Sequence, residues 1–309
     1  MALSDRQDNL YNAFIQDEIA LVPEKLLLTL GTKYEHNDYT GSVWQPSGRI
    51  VWKPQTRHAF WLSAASAVRT PAMVERQGKV LLGAYPMPDG RMEPLYVFGN
   101  AKYGNEKLYA YEAGYRWQAT DRLFFDATTF YYDYHNVQTL TPEITSSGLH
   151  ANFTNNSDGD SYGFELTADW KAAEQLNFAL AYSYFKLDLQ GNLPAVVSQI
   201  DSRTESTPRH QITLRGSYSP LHNLQFNLWG RYRDRTVNYA ITENSDRDIK
   251  INATLTVDAN IVWTLRSGLE LMLAAQNLLD SQQLNFVSEY GTPPTEIERS
   301  IYGKITWRF

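Results

Sequence analysis

Residues 175–185 alternate Leu176, Phe178, Leu180, Tyr182 and Tyr184 with Asn177, Ala179, Ala181 and Ser183. The same two-residue period returns at 209–218, where Ile212, Leu214 and Tyr218 face away from Gln211, Thr213, Arg215 and Ser217, and again at 223–233, 253–264 and 268–276. The chain closes on it: Ile301, Ile305, Trp307 and Phe309 point one way, and Tyr302, Lys304, Thr306 and Arg308 the other. Successive side chains of a strand alternate between faces, so this period predicts strands and not helices. Looser alternation predicts further strands near 8–20, 25–36, 47–54, 58–68, 107–118, 122–138 and 160–171. Roughly thirteen strands result, antiparallel because short turns join them in pairs.

The connections alternate in length. Short turns are expected at Val22-Pro23-Glu24, Gln55-Thr56-Arg57, Ala119-Thr120-Asp121, Ala172-Ala173-Glu174, Pro220-Leu221-His222 and Arg266-Ser267-Gly268. Between them lie long polar or Gly/Pro-rich segments near 69–106, 139–159, 190–208, 235–251 and 280–296. Short turns at one end and long loops at the other are the habit of transmembrane barrels, which turn an apolar face to lipid and a polar face to a wet lumen. A soluble sandwich has no reason to segregate them. With the short turns periplasmic, the last strand descends, and so does the strand at 8–20. Complete bacterial barrels have even strand numbers and periplasmic ends. The expected fold is therefore an all-β, antiparallel transmembrane β-barrel, incomplete, in one domain over residues 1–309.

Composition agrees. Aromatics make up 13% of the 309 residues, with 20 Tyr, 8 Trp and 13 Phe, an excess suited to interfacial girdles. No stretch of about 18 apolar residues could form a spanning helix. The net charge of -6 argues against nucleic acid, which needs a basic face. The absence of cysteine removes disulfides and thiolate sites. Met1-Ala2-Leu3-Ser4-Asp5-Arg6-Gln7-Asp8 has neither the basic nor the apolar region of a secretory signal, so an exported barrel is expected to be part of something longer.

Several stretches carry a resemblance in order and spacing. They are Phe14-Ile15-Gln16-Asp17-Glu18, Lys25-Leu26-Leu27-Leu28-Thr29-Leu30-Gly31-Thr32-Lys33-Tyr34-Glu35, and Pro46-Ser47-Gly48-Arg49 with Trp52-Lys53-Pro54 and Ser66-Ala67-Val68-Arg69-Thr70-Pro71. Tyr111-Glu112-Ala113-Gly114-Tyr115-Arg116, Gly163-Phe164-Glu165-Leu166, Asn277-Leu278-Leu279-Asp280 and the terminal Phe309 complete the set. Together they resemble the carboxy-terminal barrel of TonB-dependent receptors of bacterial outer membranes, over nearly the whole chain. The resemblance implies a barrel of about 22 strands, of which this chain would supply the later ones. It implies uptake of ferric siderophores or similarly scarce ligands, energised by the TonB complex through a plug domain that nothing here resembles. It also implies a cell outer membrane location, lipid contact, and recognition of Trp307 and Phe309 by the outer-membrane assembly machinery.

Two groups of candidate residues follow. The 69–106 segment offers Tyr85, Arg91, Tyr96, Phe98 and Tyr103, whose aromatic and cationic side chains suit anionic, aromatic chelates through stacking and cation–π contact. The same residues could equally pack a large external loop against itself. Arg69-Thr70-Pro71 reads as the point where a strand leaves the membrane. Lumen candidates are Glu112, Arg116, Glu165, Asp169, Arg215, Arg231, Arg233 and Asp258, with Glu270, Lys304 and Arg308 beside them. Mixed signs in a lumen usually pair across strands, each pair contributing about 0–1 kcal/mol.

No enzyme, metal site or cofactor is expected. Asp17-Glu18 and Asp126 with Asp133 lack a positioned His or Ser partner, and Ser161 and Ser183 lack a G-x-S-x-G setting. The six His residues are scattered, with no H-x-x-x-H pair. Asn155-Asn156-Ser157-Asp158-Gly159-Asp160 lacks calcium-loop spacing and reads as a solvated turn. A complete, smaller passive channel, of porin or fatty-acid-transporter kind, is the alternative to a receptor.

Overall fold

The structure, a computed structural model, describes residues 8–86, 90–145, 148–191, 203–239, 248–286 and 295–309. Its elements are β1 (Leu10–Val22), β2 (Leu26–Asn37), β3 (Gly41–Gln55), β4 (His58–Arg69), α1 (Met73–Gln77), β5 (Lys79–Pro86), β6 (Met92–Phe98), β7 (Glu106–Thr120), β8 (Leu123–Thr145) and β9 (Gly148–Ala173). They continue as β10 (Leu176–Gly191), β11 (His210–Leu221), β12 (Leu224–Arg233), β13 (Thr236–Tyr239), β14 (Asp248–Ile251), β15 (Thr254–Arg266), β16 (Leu269–Gln276), β17 (Gln282–Phe286), β18 (Thr295–Glu298) and β19 (Ser300–Trp307). The main sheet runs β1-β2-β3-β4-β7-β8-β9-β10-β11-β12-β15-β16-β19, which accounts for every strand segment expected from the alternation. β1 is hydrogen-bonded to β2 alone in this order, and β19 to β16 alone.

The short turns stand as expected, at 23–25, 56–57, 121–122, 174–175, 222–223 and 267–268. The other end is more ordered than the sequence suggested. The segment 69–106 is no open loop but holds α1 and a β5–β6 hairpin. The segment 139–159 is largely strand, since β8 runs to Thr145 and β9 starts at Gly148. Residues 155–160, expected as a turn, therefore lie inside β9. Polar cross-strand contacts carry these extensions where no apolar alternation marks them: the hydroxyls of Thr139 and Thr154 lie 2.9 Å apart, and those of Thr141 and Thr154 2.8 Å. Asn136 takes a left-handed backbone within β8, at φ 57, and its N–H donates to Asp158 Oδ1 at 2.8 Å. Within 235–251 and 280–296 the hairpins β13–β14 and β17–β18 form; residues 192–202 of the 190–208 segment lie outside the described residues.

The chain divides into two compact units. The first comprises Met1–Ala113, Phe130–Tyr162 and Leu187–Thr204. Register in it keeps like with like: Tyr34 pairs with Trp44, Leu28 with Ile50 and Leu26 with Trp52 on one face, and Gly31 with Ser47 and Thr29 with Arg49 on the other. The apolar face stays uncovered, with Trp44, Trp52, Leu30 and Leu62 exposed. Pro46 shows how β3 reaches past its expected start at residue 47. It pairs with Thr32, but its missing N–H ends the ladder to β4 at Ser47↔Ala65, and the Val68 N–H donates instead to Gln45 Oε1 at 3.1 Å. Among the described residues of this unit buried apolar side chains are few, Val97 and Ala151 among them, and those two pair where β6 lies parallel to β9.

The second unit comprises Gly114–Thr129, Gly163–Lys186 and Glu205–Phe309. Here too one face is apolar and exposed, with Leu228, Leu255, Trp263, Leu273, Ile305 and Trp307. Ile251 is buried against Ile249 and Leu284, a small core between the β13–β14 and β17–β18 hairpins. Lipid explains sheets whose apolar faces have no protein cover among the described residues, since an exposed patch this extensive is unusual in a soluble monomer.

Candidate functional site

In the first unit the polar face is tied by cross-strand bonds. Glu112 accepts hydrogen bonds from Ser63 Oγ at 3.1 Å and Tyr132 Oη at 2.6 Å. The Arg49 guanidinium lies 4.5 Å from the centre of the Trp61 ring. These are pairings of lumen type, holding Glu112 in the sheet rather than offering it to a ligand.

Where β4 ends, a charged clamp fixes the segment that follows. Arg69, the last residue of β4, donates from Nη1 to Tyr103 Oη at 3.0 Å and Glu106 Oε1 at 2.6 Å, and from Nη2 to Glu75 Oε1. Glu75 is buried in α1, and its second oxygen accepts the Ala72 N–H at 2.7 Å. Tyr103 completes the ring by donating to Glu106 at 2.8 Å. Arg76 reaches back from α1 to the carbonyl oxygens of Tyr103, at 2.8 Å, and Ala101. Gly99 lets β6 close on the helix: a Cβ there would lie 2.3 Å from the Gln77 nitrogen. Burial raises the Tyr103 pKa, the bond to Glu106 and the charges of Glu106 and Glu75 raise it further, and Arg69 opposes them. Tyr103 is 1% exposed, so its ring serves the interior of the segment and offers no surface to a ligand. Sequence reasoning gave it a surface role because aromatic type says nothing about burial. Glu75 and Glu106 went unnoticed for a similar reason: their partner Arg69 is brought to them only by the fold.

Above this clamp the β5–β6 hairpin presents a ledge. Lys79 Nζ lies 3.9 Å from the centre of the Tyr96 ring and 5.3 Å from that of Phe98. Phe98 meets His150 of β9 edge-on at 4.9 Å. Tyr96 and Phe98, two of the expected contacts, are thus brought together, joined by Lys79 and His150. Arg91 is exposed just ahead of β6. Tyr85 stands opposite Glu93 in β5, and its side chain lies outside the described residues. A cation over aromatic rings beside a half-buried imidazole can hold a planar or anionic group by stacking and charge.

In the second unit the polar face lines a cavity of about 540 Å³ near the short turns, bordered by Arg122, Asp169, Lys171, Arg215, Trp229 and Asn260 among others. Arg116 Nε donates to Asp126 at 2.6 Å, and Arg215 lies 4.7 Å over Trp229, its direct partner in the register. Asn227 and Asn260 are directly opposite and bonded at 2.8 Å. Further along β12, Arg231 Nη2 pairs with Asp258 Oδ2, and Asp258 Oδ1 accepts the buried Asn277 N–H at 2.9 Å. Glu165 and Asp169 are exposed on β9, and Arg233 is half-buried at the end of β12. The expected lumen residues therefore divide into paired ones, chiefly Glu112, Arg116, Arg231 and Asp258, and ones that leave polar groups open.

Comparison with known proteins fits this architecture. No curated protein matches the sequence. Solved structures do: the chain is similar to a mutant of the ferric enterobactin receptor PfeA from Pseudomonas aeruginosa, at 18% identity and a TM-score of 0.77, covering 98% of this chain and 45% of that one. It is similar to the siderophore receptor PirA from Acinetobacter baumannii, at 16% identity and a TM-score of 0.76, covering 98% and 46%. The FrpB iron transporter from Neisseria meningitidis follows at 15% identity and a TM-score of 0.73, covering 98% and 45%. The chain thus spans less than half the length of these proteins. Residues 2–278 match the family described as TonB dependent receptor-like, beta-barrel. The chain belongs to the TonB-dependent receptor-like β-barrel family.

Proposed function

We propose that this chain is the barrel portion of an outer-membrane receptor that takes up a ferric siderophore, or a similarly scarce and bulky chelate, with energy from the TonB complex. The family match over residues 2–278 carries the reading. Solved relatives named as a ferric enterobactin receptor, a siderophore receptor and an iron transporter support it. The ligand meets the loop end first, at Tyr96, Phe98 and Lys79, with Tyr85 and Arg91 as further contacts from the same hairpin, and Tyr103 braces the segment from within. The TonB complex acts through a plug domain, as part of a longer exported protein. Lipid covers the apolar faces, and the assembly machinery reads Trp307 and Phe309.

The test uses the full chain refolded in detergent and titrated with a ferric tricatecholate, followed by tryptophan quenching. Saturable binding that is lost in the double variant Tyr96→Ala, Phe98→Ala is the expected result. Uniform porin-like conductance steps in planar bilayers, with no chelate binding, would overturn it in favour of a passive channel.

A further inference from the structure

Arg233 closes β12 on the polar face, two residues beyond Arg231, with Gln211 and Thr254 as its direct partners in the register. Its Nε and Nη2 are buried and have no hydrogen-bond partner among the described residues. These two atoms form one edge of the guanidinium, with parallel N–H groups spaced to grip a pair of oxygens. The acidic and amide acceptors nearest along the face, Asp258 and Gln283, are already engaged. Asp258 gives one oxygen to Arg231 and the other to the Asn277 N–H, and Gln283 Oε1 accepts from Thr256 Oγ1 at 2.9 Å. Arg231 and Arg233 thus bring two positive charges to a face where Asp258 neutralises the first.

A desolvated guanidinium edge without an acceptor is costly, and folded proteins seldom keep one idle. We propose that Arg233 is an anion-receiving residue at the loop end of the second unit, and that it selects negatively charged ligands over neutral ones. The ligand group it fits is a pair of adjacent anionic oxygens, as in a catecholate, carboxylate or phosphate. This rests on the uptake reading above and deepens it by naming the ligand's charge class and a residue that senses it. Direct readout by Arg233 differs from the ledge of Lys79, Tyr96 and Phe98, because it needs paired oxygens and not merely an aromatic surface.

Two probes of opposite character test it on the full chain in detergent: a trianionic ferric tricatecholate and a neutral ferric trihydroxamate. Arg233→Gln is expected to weaken the tricatecholate about tenfold or more and to leave the trihydroxamate within about twofold, while Arg233→Lys recovers part of the loss. Thermal melting of each variant without ligand reports whether it is folded. Equal losses for both chelates, or none for either, would overturn the proposal. So would a large fall in melting temperature of Arg233→Gln with unchanged chelate binding, which would assign the guanidinium to an internal partner. Inorganic phosphate separates the two readings. If wild type binds neither chelate but binds phosphate through Arg233, uptake of iron chelates falls and the anion site stands; if it binds none of the three, both fall.

Discussion

Trp117 and Phe125 stack across the two-residue turn between β7 and β8, with ring centroids 5.6 Å apart and planes inclined by 22°. Trp170 and Phe178 repeat the arrangement across the β9–β10 turn, at 5.8 Å and 29°. In the first unit Trp52 and Phe60 meet across the β3–β4 turn at 5.4 Å, with planes tilted by 31°. Each pair lies on the apolar face, beside a short turn. Rings with an apolar body and a polar edge settle at a membrane interface, and barrels place girdles of them there. The repeated Trp–Phe pair is the local form of that girdle.

A depth measurement follows from it. In vesicles containing lipids brominated either near the headgroup or near the chain ends, tryptophan emission should be quenched more by the shallow bromines. Trp117→Phe should remove part of the shallow quenching and leave folding intact, since a stacked aromatic pair is retained. Equal quenching at both depths would contradict the interfacial placement.

Tyr103 should hold the 70–105 segment through its hydroxyl rather than its ring. Tyr103→Phe keeps the ring against Phe153, 6.2 Å away, but leaves Arg69 and Glu106 without their shared bridge. A hydrogen bond to charged groups is worth about 1.5–3 kcal/mol, so local opening of this segment should increase by about tenfold or more. Hydrogen exchange over 92–106 would register the change while β11 and β12 stay as protected as before. A uniform rise in exchange would point to global destabilisation instead.

The same tyrosine gives the clamp a pH dependence. Its pKa is raised above the ordinary 10.0, so the folded state favours the neutral phenol. Below pH 10.0 both folded and unfolded forms are neutral and the stabilisation is fully present. As pH rises beyond that value the unfolded form ionises first, and stability is lost until the folded phenol ionises as well. Tyrosinate absorbance should show late-titrating intensity that Tyr103→Phe reduces.

Much of the sheet was legible because its faces differ so plainly. Leu271 opposite Trp263 and Leu273 opposite Ile261 are pairs that period-two alternation anticipates. The extension of β8 and β9 was not legible, because Thr139, Thr141, Asn152, Thr154 and Asn156 offer no apolar stripe and are held by side-chain bonds across the pair. The clamp was hidden for another reason. Arg69 and Glu106 are 37 residues apart, and only the docking of α1 and β6 brings Glu75 and Tyr103 to the same point. Arg231 and Asp258 were recognisable as lumen residues one at a time, but their pairing needed the register between β12 and β15.

That pairing is open to a graded test. Asp258→Ala strips Arg231 of its partner and the buried Asn277 N–H of its acceptor. Arg231 is 48% exposed, so water softens the charge loss, and a destabilisation of about 1–3 kcal/mol is expected. Asp258→Asn keeps an acceptor for Asn277 and should cost less. Urea unfolding in detergent, followed by tryptophan emission, ranks the two. Equal losses would mean that the charge, and not the bond to Asn277, dominates.

The terminal strand depends on a glycine. Gly268 sits at φ +82, a conformation other residues resist, and its carbonyl accepts the Arg308 N–H at 2.7 Å. A Cβ there would fall 2.4 Å from the Arg308 carbonyl oxygen. Gly268→Ala therefore combines backbone strain with a clash against the residue just before Phe309. The strain alone is of order 1–3 kcal/mol, and relief by shifting the chain would break the Gly268–Arg308 bond. The effect should concentrate at the end of β19, whose outer edge has no strand partner among the described residues. In cells this variant should reach its heat-modifiable, membrane-assembled form more slowly than wild type, and deletion of Phe309 should slow it further if assembly reads the terminal aromatic. If Gly268→Ala assembles normally while loss of Phe309 does not, the aromatic is recognised regardless of how the turn holds it; if neither matters, the terminal strand is no assembly signal.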